Sequence, residues 1–172
     1  MWIGFLRECE DTLMKVLIVY DSVFGNTEKI AQAIGSGLGS QVDVKLFRVT
    51  DIKVEQVAGL DIFIAGSPTR GFRPTPAMRD FLKSIPKNGL KDVGVAAFDT
   101  RIAIEDVDNP ILPTFVKVFG YAAKPIADQL QKKGGELCVP AEGFFVKDTE
   151  GPLKEGELER AAEWPKRILG KL

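Results

Sequence analysis

Lys15-Val16-Leu17-Ile18-Val19-Tyr20-Asp21-Ser22-Val23-Phe24-Gly25-Asn26-Thr27-Glu28-Lys29-Ile30-Ala31 decides how this chain reads. The stretch opens on an apolar, branched run of strand length, as expected of a strand buried on both faces. Small, polar or turn-prone residues follow from Ser22 to Asn26, broken by Phe24. From Thr27 onward, apolar residues recur at Ile30, Ala31, Ile34 and Leu38, which is helical spacing. A strand that turns tightly into a helix aims unpaired backbone N–H groups and the positive end of the helix dipole at one point. Ser22, Asn26 and Thr27 add side-chain donors to the same place. The pattern predicts a phosphate site; the competing reading is a plain strand-to-helix turn with an Asn or Thr cap.

The residue types narrow the phosphate. A nucleoside triphosphate loop needs a Lys directly after its second glycine, whereas Asn26 and Thr27 follow Gly25. A dinucleotide fingerprint needs several glycines at set spacing, and Asp21 to Gly25 holds only Gly25. Hydroxyls and backbone amides without a cation suit a terminal monophosphate.

At 172 residues the chain fits one domain with a proper core. A formal net charge of -1 gives no global field for nucleic acid or an anionic membrane. The chain has no His, which removes His-based metal sites and His general bases. Cys9 and Cys138 stand far apart without a partner motif, so they read as free thiols of a reducing, cytoplasmic compartment, with Cys138 expected inside a strand. No metal site is predicted, and no stretch reaches membrane-spanning length. Residues 1–13 read as an N-terminal extension, with Met14 a candidate native start; the alternative is a short helix packing Trp2, Phe5 and Leu6. Residues 14–172 form the domain.

Past the first helix, strands and helices alternate. Gln41 to Val49 reads as an edge strand, Val54 to Ala58 as a short helix or turn, and Leu60 to Ala65 as a buried third strand. Pro76 to Ile85 is helical, Val93 to Phe98 a fourth strand, and Pro125 to Lys133 a helix ended by Gly134-Gly135. Glu136 to Val146 carries a fifth strand, and Leu153 to Leu169 a last helix that Pro165 should kink. This alternation predicts a parallel sheet covered on both faces, with the ligand beyond the carboxyl ends of the strands at the point where strand order reverses.

Two further loops meet there. After the third strand comes Gly66-Ser67-Pro68-Thr69-Arg70-Gly71-Phe72-Arg73-Pro74-Thr75-Pro76, and after the fourth Phe98-Asp99-Thr100-Arg101. Proline and glycine fix the first loop's backbone, and together the loops offer aromatic surface, backbone donors and guanidinium groups. A planar, partly apolar, phosphorylated ligand fits that set. The alternative is that Phe72 and Phe98 are core residues and that the arginines pair with Asp80, Asp99 or Glu105.

Ser22-Val23-Phe24-Gly25-Asn26-Thr27 before a helix, with Gly66-Ser67-Pro68-Thr69 after the third strand, resembles the flavodoxin family over residues 15–170. Gly143-Phe144-Phe145-Val146 and Gly151 to Leu158 are similar to the last strand and helix entry of such domains. The resemblance implies an α/β three-layer sandwich, a five-stranded parallel sheet of order 2-1-3-4-5 with helices on both faces, and FMN as cofactor. It implies that Ser22, Val23, Phe24, Gly25, Asn26 and Thr27 hold the FMN phosphate. Ser67, Pro68, Thr69, Arg70, Gly71 and Phe72 would border the flavin ring on one side, and Phe98, Asp99, Thr100 and Arg101 on the other. Gly71 is the candidate for a peptide that turns its carbonyl toward the ring.

Family electron carriers are typically strongly acidic, and this chain is not. The leading expectation is an electron carrier serving redox partner proteins, with no catalytic residue of its own, as a monomer or homodimer. The alternative is an FMN-dependent NAD(P)H:quinone-type oxidoreductase, because Pro68-Thr69-Arg70 is similar to the loop of those enzymes. A third reading is a flavin-free interaction module. The segment Ile102 to Lys124, long for a loop, reads as an extra helical turn over the flavin edge, an apolar partner surface, or plain core.

Overall fold

A computed structural model describes residues 13–171. The expected extension therefore lies almost wholly outside the described residues, as does Cys9. The elements run β1 (Met14–Tyr20), α1 (Asn26–Gly37), β2 (Val42–Arg48), β3 (Ile62–Pro68), α2 (Pro76–Ser84), β4 (Gly94–Ile102), α3 (Leu112–Phe119), α4 (Ala123–Lys132), β5 (Glu136–Leu137), β6 (Glu142–Val146) and α5 (Glu157–Leu169), with short 3-10 turns at Val54–Val57 and Ile104–Asp106. All strand pairs are parallel, in the order β2-β1-β3-β4-β5. The expected order is what the structure shows.

Alternation along β1 explains why the strand is apolar throughout. Val16, Ile18 and Tyr20 enter one core with Ile30, Ile34, Phe98, Phe144 and Trp164, under α1 and α5. Leu17 and Val19 enter a second core with Phe63, Met78, Leu82, Ile126 and Leu130, under α2 and α4. A period of two side chains per repeat feeds both layers from one strand. Among the described residues β2 pairs only with β1, and it alternates half-buried with exposed residues, as an edge strand does.

Three expectations change. The fifth strand is two strands: β5 pairs with Gly94 and Val95, β6 with Phe98 to Ile102. The interruption falls at Cys138 to Ala141, where Pro140 offers no N–H to a ladder. Cys138 consequently sits just past β5, half-buried and not inside a strand, and burial pushes its thiol pKa up. Most consequential, β4 does not end near Phe98 but continues to Ile102, because β6 pairs with its second half. The long segment after it holds α3, and α5 carries Pro165 within its helical run.

Candidate functional site

The loop between β1 and α1 is built from its own short side chains. The Ser22 hydroxyl accepts the N–H of Gly25 at 3.1 Å and that of Glu28 at 3.4 Å. Asp21 Oδ1 accepts the Ser22 N–H at 2.9 Å. Gly25 caps α1 with φ 86°, a left-handed conformation that folds the chain back into the helix. The N–H groups of Phe24, Asn26 and Thr27 are left with no acceptor among the described residues. Asn26 and Thr27 are buried, so their amides call for an outside partner, while Phe24 is exposed at the loop tip. The Arg48 guanidinium, from the end of β2, donates to the Ser22 carbonyl and lies 3.7 Å from Asp21. It braces the loop from behind; no spacing in the sequence pointed to it.

Facing the loop is a hairpin tip after β3. Arg70 and Arg73 exchange both backbone hydrogen bonds, at 2.9 and 3.1 Å, around Gly71 and Phe72. Those two residues have φ 52° and 66°, the primed-turn geometry. Gly71 accepts it without cost, whereas for Phe72 it is a strained conformation. Ser67 is fully buried and fastens the base of the loop, accepting the Thr75 N–H at 3.0 Å and donating to the Pro68 carbonyl at 3.1 Å.

Between them lies a cleft of about 240 Å³. Val23, Phe24, Asn26 and Thr27 form one wall, Pro68, Thr69, Arg70 and Gly71 another, and Thr100 and Arg101 the floor, joined by Ile102, Val146 and Thr149. The last three were not expected: Ile102 and Val146 come from the longer β4 and its partner β6. The Thr27 and Thr100 hydroxyls meet at 2.8 Å across the floor. Asn26 Nδ2 donates to the Glu150 carbonyl at 3.0 Å, which holds the Thr149 loop against the phosphate side. The Arg70 guanidinium stands 5.8 Å from the Phe24 ring centroid, across the opening.

Other expected wall residues are placed elsewhere. Ser22, Gly25 and Ser67 shape the loops from within and do not line the cleft. Phe72 points to a second cavity on the far side of the hairpin. Phe98 is fully buried, edge to face with Phe144 and Trp164 at 6.2 Å. In an extended strand, neighbouring side chains point to opposite faces, so Phe98 enters the core under α1 and α5 while Asp99 turns to the other side of the sheet. Asp99 faces α4 and is fully buried, held by Arg101 at 2.5 and 2.8 Å and by the Ala123 N–H at 2.7 Å. Burial pushes its carboxyl pKa up, opposed by the Arg101 guanidinium and the Ala123 amide. Arg101 in turn stacks 3.8 Å from the Tyr121 ring centroid, so a rim arginine is pinned from both sides. The expected pairing of a rim arginine with Asp99 holds for Arg101.

The donor set fits a flavin mononucleotide: unpaired amides and a hydroxyl for a doubly charged phosphate, then an aromatic and aliphatic slot for a ring. The flavodoxin-domain family model matches residues 17–145. A flavodoxin of Maridesulfovibrio salexigens is 34% identical over 91 residues, which are half of this chain and 62% of that protein. A flavodoxin of Picosynechococcus is 35% identical over 57 residues, only 34% of its length, so the alignable part falls short of the whole of either relative. Oxidised flavodoxin 2 of Bacillus cereus superposes with a TM-score of 0.74 at 24% identity, covering 92% of this chain and 99% of that one. Among the described residues no helix is long and apolar enough to cross a membrane, and no group of acidic or thiol side chains is arranged to hold a metal ion. Sequence match, strand order and phosphate loop agree: the chain belongs to the flavodoxin family, whose cofactor is FMN.

Proposed function

We propose that this protein is an FMN-loaded carrier that passes single electrons between protein partners, without a chemical substrate of its own. The observation that carries the reading is the set of unpaired N–H groups at Phe24, Asn26 and Thr27, beside the open cleft. When bound, FMN supplies the redox chemistry, taking up and releasing electrons one at a time. The amides and the Thr27 hydroxyl hold the phosphate, and the Arg70–Arg73 hairpin flanks the ring. Its Gly71 peptide is the one able to reorient, because glycine is stable on either side of φ 0. Arg101 brings a guanidinium to the floor, its charge countered by the Asp99 carboxylate that pairs with it, so the pair sets the local field at the ring. At about 240 Å³ the cleft is smaller than most enclosed ligand pockets, roughly 300–1,000 Å³. That suits a ring with one edge left open for electron exchange.

A second reading, an NAD(P)H:quinone-type reductase, draws on Arg70, an exposed cationic group at the mouth of the cleft. The two readings separate on the FMN-loaded protein. NADH or NADPH added anaerobically should leave the flavin oxidised, while stepwise chemical reduction resolves two one-electron steps. Rapid bleaching by a nicotinamide would move the assignment to the reductase. No visible spectral shift on adding excess FMN would sink both and leave an interaction module.

A further inference from the structure

Behind the Arg70–Arg73 hairpin lies a larger cavity of about 610 Å³, between α2 and α4. Four elements bring cations to it: Arg73 from the hairpin, Arg79 and Lys83 from α2, Lys117 from α3, and Lys124 and Lys132 from α4. Helical spacing explains the alignment, since 79 and 83, and likewise 124, 128 and 132, fall four residues apart on one face. Among the described residues Asp128 is the only carboxylate lining the cavity, and it pairs with Lys124 at 3.0 Å. The other five cations have no carboxylate partner within ion-pair distance among the described residues. Arg79 also keeps its Nε buried without a hydrogen-bond partner. Leu82, Pro74 and Pro125 give the cavity an apolar floor.

We propose that this basic face is the docking site for an acidic electron-transfer partner protein, an inference that rests on the carrier reading. Two features favour a protein over a small anion. Five of the six cations are on exposed residues contributed by four separate elements, so they form a field spread over a face and not a cage around one point. The cavity also shares its wall with the flavin cleft: Arg70 and Gly71 line one side of the hairpin, and Phe72, Arg73 and Pro74 the other. A partner seated against α2 and α4 therefore lies one hairpin's thickness from the ring, where electron exchange needs it. Unpaired like charges repel one another until an acidic surface covers them, and such a field raises the rate of encounter at low salt. Transient electron-transfer contacts are small and rely on this steering.

The test uses the FMN-loaded protein, Lys83→Glu/Lys117→Glu/Lys132→Glu in the same chain, and two probes, an acidic plant-type ferredoxin as reductant and basic cytochrome c as oxidant. In stopped-flow at low ionic strength, the parent should react with the ferredoxin at a rate that falls steeply with added salt. The triple variant should lose at least tenfold with the ferredoxin and gain with cytochrome c, at unchanged FMN affinity and unchanged spectrum. Rates within twofold of the parent for both probes would overturn the proposal. So would stoichiometric binding of tripolyphosphate to the parent that leaves the ferredoxin rate untouched, since the face would then belong to a small anion. Failure to bind FMN in the parent would instead strike the carrier reading itself.

Discussion

On the phosphate side of the cleft, Ser22, Gly25 and Glu28 satisfy one another within six residues of chain. On the β4 side, Asp99 depends on Ala123, 24 residues away, and on an arginine that itself leans on Tyr121. The first region carries its instructions locally, in a hydroxyl, a glycine and a helix start. The second exists only once α4 and β6 have packed against β4. Placing the charge of the site on the non-local side has a consequence: the phosphate loop remains a neutral amide cradle, while the cation is fixed by tertiary structure.

The contrast can be broken most forcefully at Asp99. Asp99→Ala leaves Arg101 largely buried without its carboxylate and the Ala123 N–H without an acceptor, and should cost about 3–5 kcal/mol in urea unfolding. Arg101 would then be free to swing, so any FMN still bound should show a shifted potential. A loss below about 1 kcal/mol would mean that the buried pair is not the keystone of that side.

Gly25→Ala tests the local side. At φ 86° a Cβ is strained even though nothing beyond the neighbouring residues lies within 4 Å of where it would sit, and left-handed backbone costs about 1–2 kcal/mol. FMN affinity should fall with it, because the same turn aims the Phe24, Asn26 and Thr27 amides. Unchanged binding in a fluorescence titration would show that the amides do not carry the phosphate.

The Thr27–Thr100 contact joins the two regions and calls for a double-mutant cycle. Thr27→Val alone should cost about 1 kcal/mol, and adding Thr100→Val should cost less than the sum of the two, since no buried hydroxyl is then left unpaired. Strict additivity would mean that the regions are energetically separate.

The smallest expected effect is a pH dependence. Because burial raises the Asp99 carboxyl, the native protein holds a proton at pH values where the unfolded chain, titrating near about 3.9, has released it. The unfolded state then binds fewer protons, and this group's contribution to stability declines as pH rises through its native value. Asp99→Asn has nothing to titrate there, so the stability gap between parent and variant should narrow as pH rises above the ordinary carboxylate range. A gap that stays constant would show that Arg101 and Ala123 outweigh burial and keep the carboxylate ionised throughout.

Much of the scaffold was legible because periodicity and punctuation are written residue by residue. The apolar run Val16 to Val19, the helical spacing of Ile30, Ala31 and Ile34, and Pro76 at the start of α2 each act within a few positions. The phosphate loop belongs to this class. Phe98 to Arg101 does not: whether they form a loop or continue a strand depends on a partner strand more than forty positions later, at Glu142 to Val146. That pairing turned Phe98 into the core, Asp99 toward α4, and only Thr100 and Arg101 toward the cleft. The split of the last strand into β5 and β6 has the same origin, with Pro140 as the visible break and the choice of register made by β4.

The sequence by itself therefore determined the alternation of strands and helices, the amide cradle for a phosphate and the convergence of the loops after β1 and β3. Tertiary structure alone decided which residues of those loops face the cleft, because side-chain direction along a strand is set by pairing and not by composition. It also decided that lysines and arginines scattered from Arg73 to Lys132 should share one face: nothing in a near-neutral net charge reveals how charges distribute once helices pack side by side.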